Sequence, residues 1–81
     1  MTATRETVLR LLTDIAPELD PSEIVPEDNL REQLDLDSMD FLNFMIALHQ
    51  EYGIEIPEAD YRKLQTLDGC IGYLNAALQA K

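Results

Sequence analysis

The sequence predicts an all-α bundle of four helical segments, three main helices and one short one, with a long loop after the first. Three observations predict it. Apolar residues recur at helical spacings of three and four in separate stretches, Pro17, Gly53 and Pro57 punctuate those stretches, and the one alternating stretch, Ile54-Glu55-Ile56, reads as a short extended connection. With 81 residues, residues 1–81 are expected to form a single domain, long enough for a core and too short for a deep cleft inside it.

In the first stretch Val8, Leu11, Leu12 and Ile15 form an amphipathic stripe, Thr2 or Thr4 supplies the cap, and Pro17 ends the helix. From Glu18 to Leu36 the chain carries Pro21, Pro26 and many acidic residues, with Ile24, Val25, Leu30 and Leu34 as apolar anchors. A loop of that length in a small domain has a job or a short helical turn of its own, and its anchors should pin it across the bundle.

The second main helix is expected over Asp37–Tyr52. Asp37 is its N-cap, Asp40 lies in the first turn, where the positive end of the dipole favours an acid, and Gly53 is the stop. At about 100° per residue, Asp40, Asn43, Ala47, Gln50 and Glu51 fall in one arc, leaving the rest apolar, which predicts a central helix touching several neighbours. A brief helical turn follows around Glu58 to Lys63. Thr66 then caps a last helix whose inward stripe is Leu67, Cys70, Ile71, Leu74, Ala77 and Leu78.

The formal net charge is -10, and from Glu18 to Asp60 there are thirteen Asp or Glu against one basic residue, Arg31. Such a surface repels phosphate backbones and anionic lipid, so nucleic acid and membranes are excluded as partners and basic protein patches are favoured. Cys70 is the only cysteine, so no internal disulfide and no cysteine zinc cluster can form. No uninterrupted apolar run resembles a signal sequence or a span, and a cytoplasmic, monomeric protein is expected.

Chemistry concentrates at Leu34-Asp35-Leu36-Asp37-Ser38-Met39-Asp40, which puts a hydroxyl at the start of the central helix. Two readings of Ser38 stand side by side. It is the helix cap, a common role for serine, or, if Asp37 caps, its oxygen is free where a helix N-terminus favours an attached phosphodiester. The acids do not match a calcium-binding loop, because Met39 and Ile46 fall where ligands are needed. A serine hydrolase is excluded, since the only histidine, His49, lies about 16 Å up the same helix. His49 itself is expected to be half-buried near the helix end, and neither a metal-ligand set nor a Gly-rich phosphate loop is present.

These residues resemble the acyl carrier proteins, whose hallmark Asp-Ser-Leu appears here as Asp37-Ser38-Met39. The similarity runs from about Leu30 to Leu78 through Asp40, Met45, Ala47-Leu48, Glu51-Tyr52, Glu55-Ile56-Pro57, Leu64, Thr66-Leu67 and Ile71-Gly72-Tyr73-Leu74. The resemblance implies an acyl-carrier-like bundle with no catalysis of its own and a covalent 4′-phosphopantetheine arm on Ser38. It implies a phosphopantetheinyl transferase, the holo-carrier synthase, as one partner, and acyl-transferring or condensing enzymes with basic docking patches as others. Asp37, Met39, Asp40, Glu51 and Glu55 are the implied recognition residues. Met45, Leu48, Ile56, Leu64, Cys70 and Ile71 match positions lining the acyl space. The implied function is to carry acyl thioesters in fatty-acid or specialised lipid or polyketide biosynthesis. A discrete aminoacyl or peptidyl carrier and an acidic helical adaptor without a prosthetic group are the alternatives. Asn43, His49 and Gln50 stand where fatty-acid carriers commonly have Glu, Asp35 replaces a usual Gly, and Phe44 and Cys70 are bulkier than is common. The departures at Asn43, His49, Gln50 and Asp35 favour a specialised carrier with its own dedicated synthase or transferase, and the bulk of Phe44 and Cys70 bears on the preferred chain length.

Overall fold

The computed structural model describes residues 2–80. Helix α1 spans Arg5–Ile15, and of the two candidate caps Thr4 is used, its Oγ1 accepting from the Thr7 N–H at 3.3 Å. Val8, Leu11 and Leu12 are buried and Ile15 is half-buried, as the stripe predicts. Just ahead of the helix, Ala3 is buried and its backbone is clasped by Asn75, with Ala3 N–H donating to Oδ1 at 2.8 Å and Nδ2 donating to the Ala3 carbonyl at 3.2 Å.

The long loop is ordered by two short helical pieces, a 3₁₀ turn at Pro21–Glu23 capped by Asp20 and helix α2 at Leu30–Gln33 capped by Asn29. The Gln33 side chain bridges the loop internally, accepting from the Val25 N–H and donating to the Val25 and Asp28 carbonyls. Two backbone bonds pin the loop across the bundle, Leu30 N–H to the Gln65 carbonyl at 2.6 Å and Asp68 N–H to the Pro26 carbonyl at 3.1 Å. Ile24 and Leu30 are buried anchors, but Val25 is 39% exposed. It was expected as an anchor; the loop is held at that point by its backbone and Gln33, which leaves the side chain outward.

Helix α3 spans Ser38–Tyr52, and Gly53 ends it at φ 65, a left-handed conformation that costs a glycine nothing. Phe41, Phe44, Met45, Leu48 and Tyr52 are buried at spacings of three and four. Not all of the wide apolar arc is covered: Met39, Leu42 and Ile46 are 62%, 37% and 45% exposed. The bundle is too small to surround α3, so one apolar flank remains against solvent. His49 is also exposed rather than half-buried, and its Nδ1 donates to the Ile54 carbonyl at 2.7 Å across the Gly53 turn.

After Ile54, which is buried, a 3₁₀ helix at Glu58–Leu64 forms the short element, and helix α4 spans Leu67–Gln79 with Thr66 as cap. Helix α1 packs against both α3 and α4, and α4 also packs on the 58–64 segment. Leu67, Cys70 and Leu74 are buried on α4, with Ile71, Ala77 and Leu78 half-buried beside them. Gly69 donates its N–H to the Thr66 Oγ1 at 2.9 Å and lies so close to the Lys63 carbonyl that a Cβ there would overlap it. Backbone cannot yield as a side-chain tip can, so Gly69→Ala is expected to lower stability by about 1–3 kcal/mol, read from the urea midpoint at unchanged slope.

Candidate functional site

The head of α3 is built by a reciprocal cap. Asp37 Oδ1 accepts from the Asp40 N–H at 2.8 Å, and the Asp37 N–H donates back to Asp40 Oδ2 at 3.4 Å. The capping role therefore belongs to Asp37. Ser38, the first helical residue, is exposed and has its hydroxyl left over, at the end of a 15-residue helix where the macrodipole is positive. Leu36, buried just before the cap, anchors this approach, and its N–H donates to the Arg31 carbonyl at 2.9 Å. Between them Asp35 sits at φ 53, in the left-handed region.

Ser38 opens onto a hollow of about 280 Å³ floored by Phe41, Leu42 and Tyr61, with Arg31, Glu58 and Gln65 at its rim. The Tyr61 ring meets Phe41 edge-on at 6.2 Å between centroids, and the Arg31 guanidinium lies 5.9 Å from the Phe41 centroid. Sequence reasoning missed these walls. Phe41 and Leu42, three and four residues after Ser38, were accessible through helical spacing, whereas Arg31 and Tyr61 reach the site only through tertiary packing.

Of the implied recognition residues, Asp37 and Met39 are exposed and Asp40 half-buried, all beside Ser38. Glu51 lies at the far end of α3 and Glu55 in the connection beyond it. Glu51 is about 20 Å along the axis from Ser38 and is engaged within the chain, its Oε1 3.1 Å from Arg10 Nη2. Glu55 borders a second hollow of about 420 Å³, which it shares with Met45 and Ile56. Of the six residues matched to an acyl space, only those last two line it. Leu48, Leu64 and Cys70 are fully buried in the core and Ile71 is half-buried, and they line neither hollow.

Cys70 donates its thiol to the Leu64 carbonyl at 3.1 Å, and burial pushes its pKa up to about 12. On the neighbouring surface the Tyr73 hydroxyl donates to Asp60 Oδ2 at 2.7 Å, while Lys63 Nζ lies 3.3 Å from Asp60 Oδ1. The hydrogen bonds from Tyr73 and then Lys63 hold the Asp60 carboxyl below its ordinary value, and burial, then Asp60, pushes the Tyr73 phenol up to about 12. Among the described residues no three of His, Cys, Asp or Glu converge as metal ligands, and no helix is long and apolar enough to cross a membrane.

Comparison with known proteins gives a family and several relatives. The family described as a phosphopantetheine attachment site matches residues 6–74. The chain is 36% identical over 62 residues to an acyl carrier protein of Thermosynechococcus vestitus, covering 76% of each chain. It is 32% identical over 73 residues to an acyl carrier protein of Rubrobacter xylanophilus, covering 86% of this chain and 90% of that one. It is 31% identical over 77 residues to a meromycolate extension acyl carrier protein of Mycolicibacterium smegmatis, covering 91% of this chain and 78% of that one.

Two outcomes test the local physics. A left-handed backbone at Asp35 tolerates glycine but not a β-branched side chain, so Asp35→Gly should stay within about 0.5 kcal/mol of wild type while Asp35→Val loses about 1–2 kcal/mol in urea unfolding. The raised Tyr73 pKa means that the folded state holds this proton more tightly than the unfolded chain does. Its contribution to stability is thus complete below about pH 10 and lost as pH rises through about 12. Urea midpoints across that window should fall more steeply for wild type than for Tyr73→Phe.

Proposed function

We propose that this chain, which belongs to the acyl carrier protein family, holds acyl groups as thioesters on a 4′-phosphopantetheine arm esterified to Ser38 and presents them to partner enzymes. The observation that carries the assignment to Ser38 is the division of labour at the helix head: Asp37 does the capping, and the serine oxygen is left exposed. Family membership makes the protein a carrier rather than a catalyst, and implies both the covalent arm and a transferase that installs it.

The residues around Ser38 fit such a group. The first turn of α3 offers the positive end of a helix dipole to a phosphodiester, the Arg31 guanidinium stands at the rim of the same hollow, and Phe41, Leu42 and Tyr61 give an apolar floor beside the attachment oxygen. When attached, the arm supplies the terminal thiol on which an acyl group is activated and tethered. The protein's own part is to fix the attachment oxygen in space, which raises the effective concentration of cargo at each docked enzyme.

Exposed Asp37 and Met39, with half-buried Asp40, form a docking patch next to the attachment point, and Leu42 and Ile46 extend its apolar part along α3. Basic surfaces on the transferase and on acyl-transferring or condensing enzymes complement it. Asn43, His49 and Gln50 are all exposed, so the middle and end of the helix present a neutral band in place of further acids. That band, together with likeness to a meromycolate extension acyl carrier protein, supports a carrier for specialised lipid chains over one for peptidyl cargo. With a single, deeply buried cysteine the chain suits a reducing cytoplasm.

Incubation with coenzyme A and a promiscuous phosphopantetheinyl transferase should add one arm to wild type and none to Ser38→Ala, as read by intact mass spectrometry. An equal gain in the alanine variant would remove Ser38 from the assignment. An acidic adaptor without a prosthetic group would instead keep its cellular function in Ser38→Ala and lose it on charge reversal at Asp37 and Asp40.

A further inference from the structure

Along α3 a single face runs without a break from the attachment serine toward the far end of the helix: Ser38, then Phe41 and Leu42, then Met45 and Ile46, spaced by three and four. The first three line the hollow at Ser38, and Met45 and Ile46 line the larger one beyond it. What interrupts the trough is therefore the opposite wall. Tyr61, on the 58–64 segment, is the one residue among those described that borders both hollows, and its ring is fixed edge-on against Phe41 at 6.2 Å between centroids. Edge-on aromatic pairs of this kind resist displacement more than an aliphatic contact of similar area. The segment carrying Tyr61 is itself tied down on both sides of it: Asp60 is held by Tyr73 and Lys63, and Leu64 is fully buried.

We infer that Tyr61 is a partition that sets the length of cargo this protein can shelter, standing between the hollow of about 280 Å³ at Ser38 and the hollow of about 420 Å³ beyond it, so that an acyl chain lying in one does not extend into the other. The inference rests on Ser38 as the attachment point and adds the class of cargo: short acyl groups are covered, and the distal part of a long linear chain stays outside. Removing the ring joins the two hollows into one apolar trough between α3 and residues 55–65, and burial of added methylenes along it then stabilises the folded state.

The test loads wild type, Tyr61→Phe, Tyr61→Leu and Tyr61→Ala with butyryl, octanoyl and dodecanoyl arms from the corresponding acyl-coenzyme A, with loading checked by intact mass, and compares melting temperatures. Wild type and Tyr61→Phe should gain on butyryl loading and gain nothing further from longer chains. Tyr61→Ala should climb by several degrees from butyryl to dodecanoyl. Tyr61→Leu, which keeps apolar cover over the core, should climb part of the way and carries the comparison if the alanine variant does not fold. A wild-type melting temperature that climbs with chain length as steeply as that of the variants overturns the partition, as does a wild-type plateau in both Tyr61→Ala and Tyr61→Leu. Absence of loading on every chain overturns the Ser38 assignment itself and the partition with it.

Discussion

The site depends on one pair of hydrogen bonds, those between Asp37 and Asp40 that close the first turn of α3. A helix start leaves backbone donors without partners, and something must satisfy them. Because an aspartate does so one residue earlier, the serine that follows keeps its hydroxyl outside the hydrogen-bonding of the helix end. Had the serine been the cap, its oxygen would be committed as an acceptor to a backbone amide and held inward. The two acids thus serve the fold through their carboxylate oxygens and, from the same positions, place negative charge beside the Ser38 oxygen.

The remainder of the architecture holds that helix head still. Phe44 and Leu48 anchor α3 in the core, Leu36 seats the approach to the cap, and the long loop is drawn across by backbone bonds from Leu30 to Gln65 and from Asp68 to Pro26. The core uses one side of α3 and leaves Met39, Leu42 and Ile46 against solvent. In a chain of 81 residues there are too few neighbours to enclose a helix apolar over so wide an arc. The result is an exposed apolar flank contiguous with an acidic helix head, a combination suited to docking with partners that are basic and partly apolar.

The parts of this structure that are written locally were legible in the sequence. The stop at Gly53, the cap at Thr66 and the inward stripes of α1 and α4 all follow from spacing and side-chain chemistry within a few residues, and Asp37 was one of the two caps open at the head of α3. The parts set by distant contacts were not. Gln33 bridging the loop, Asn75 clasping Ala3 from 72 residues away and Tyr61 meeting Phe41 leave no periodic trace, because each is decided by packing. Val25 and His49 were misplaced for the same reason: apolar character or position within an arc sets a preference, and here hydrogen bonds to Gln33 and to Ile54 decided the outcome. At the candidate site, Ser38 and its flanking acids stood out by their order in the chain, while the walls of the hollow beside them were missed, although helical spacing from Ser38 leads to Phe41 and Leu42.

The position of Cys70 has a consequence for the cargo's lifetime. A thioester is a soft acyl donor, and any accessible thiolate nearby is a competing acceptor. The chain's one cysteine is sealed in the core with its proton engaged by the Leu64 carbonyl and its ionisation suppressed. The chain therefore offers an acyl thioester no accessible thiol of its own as a competing acceptor.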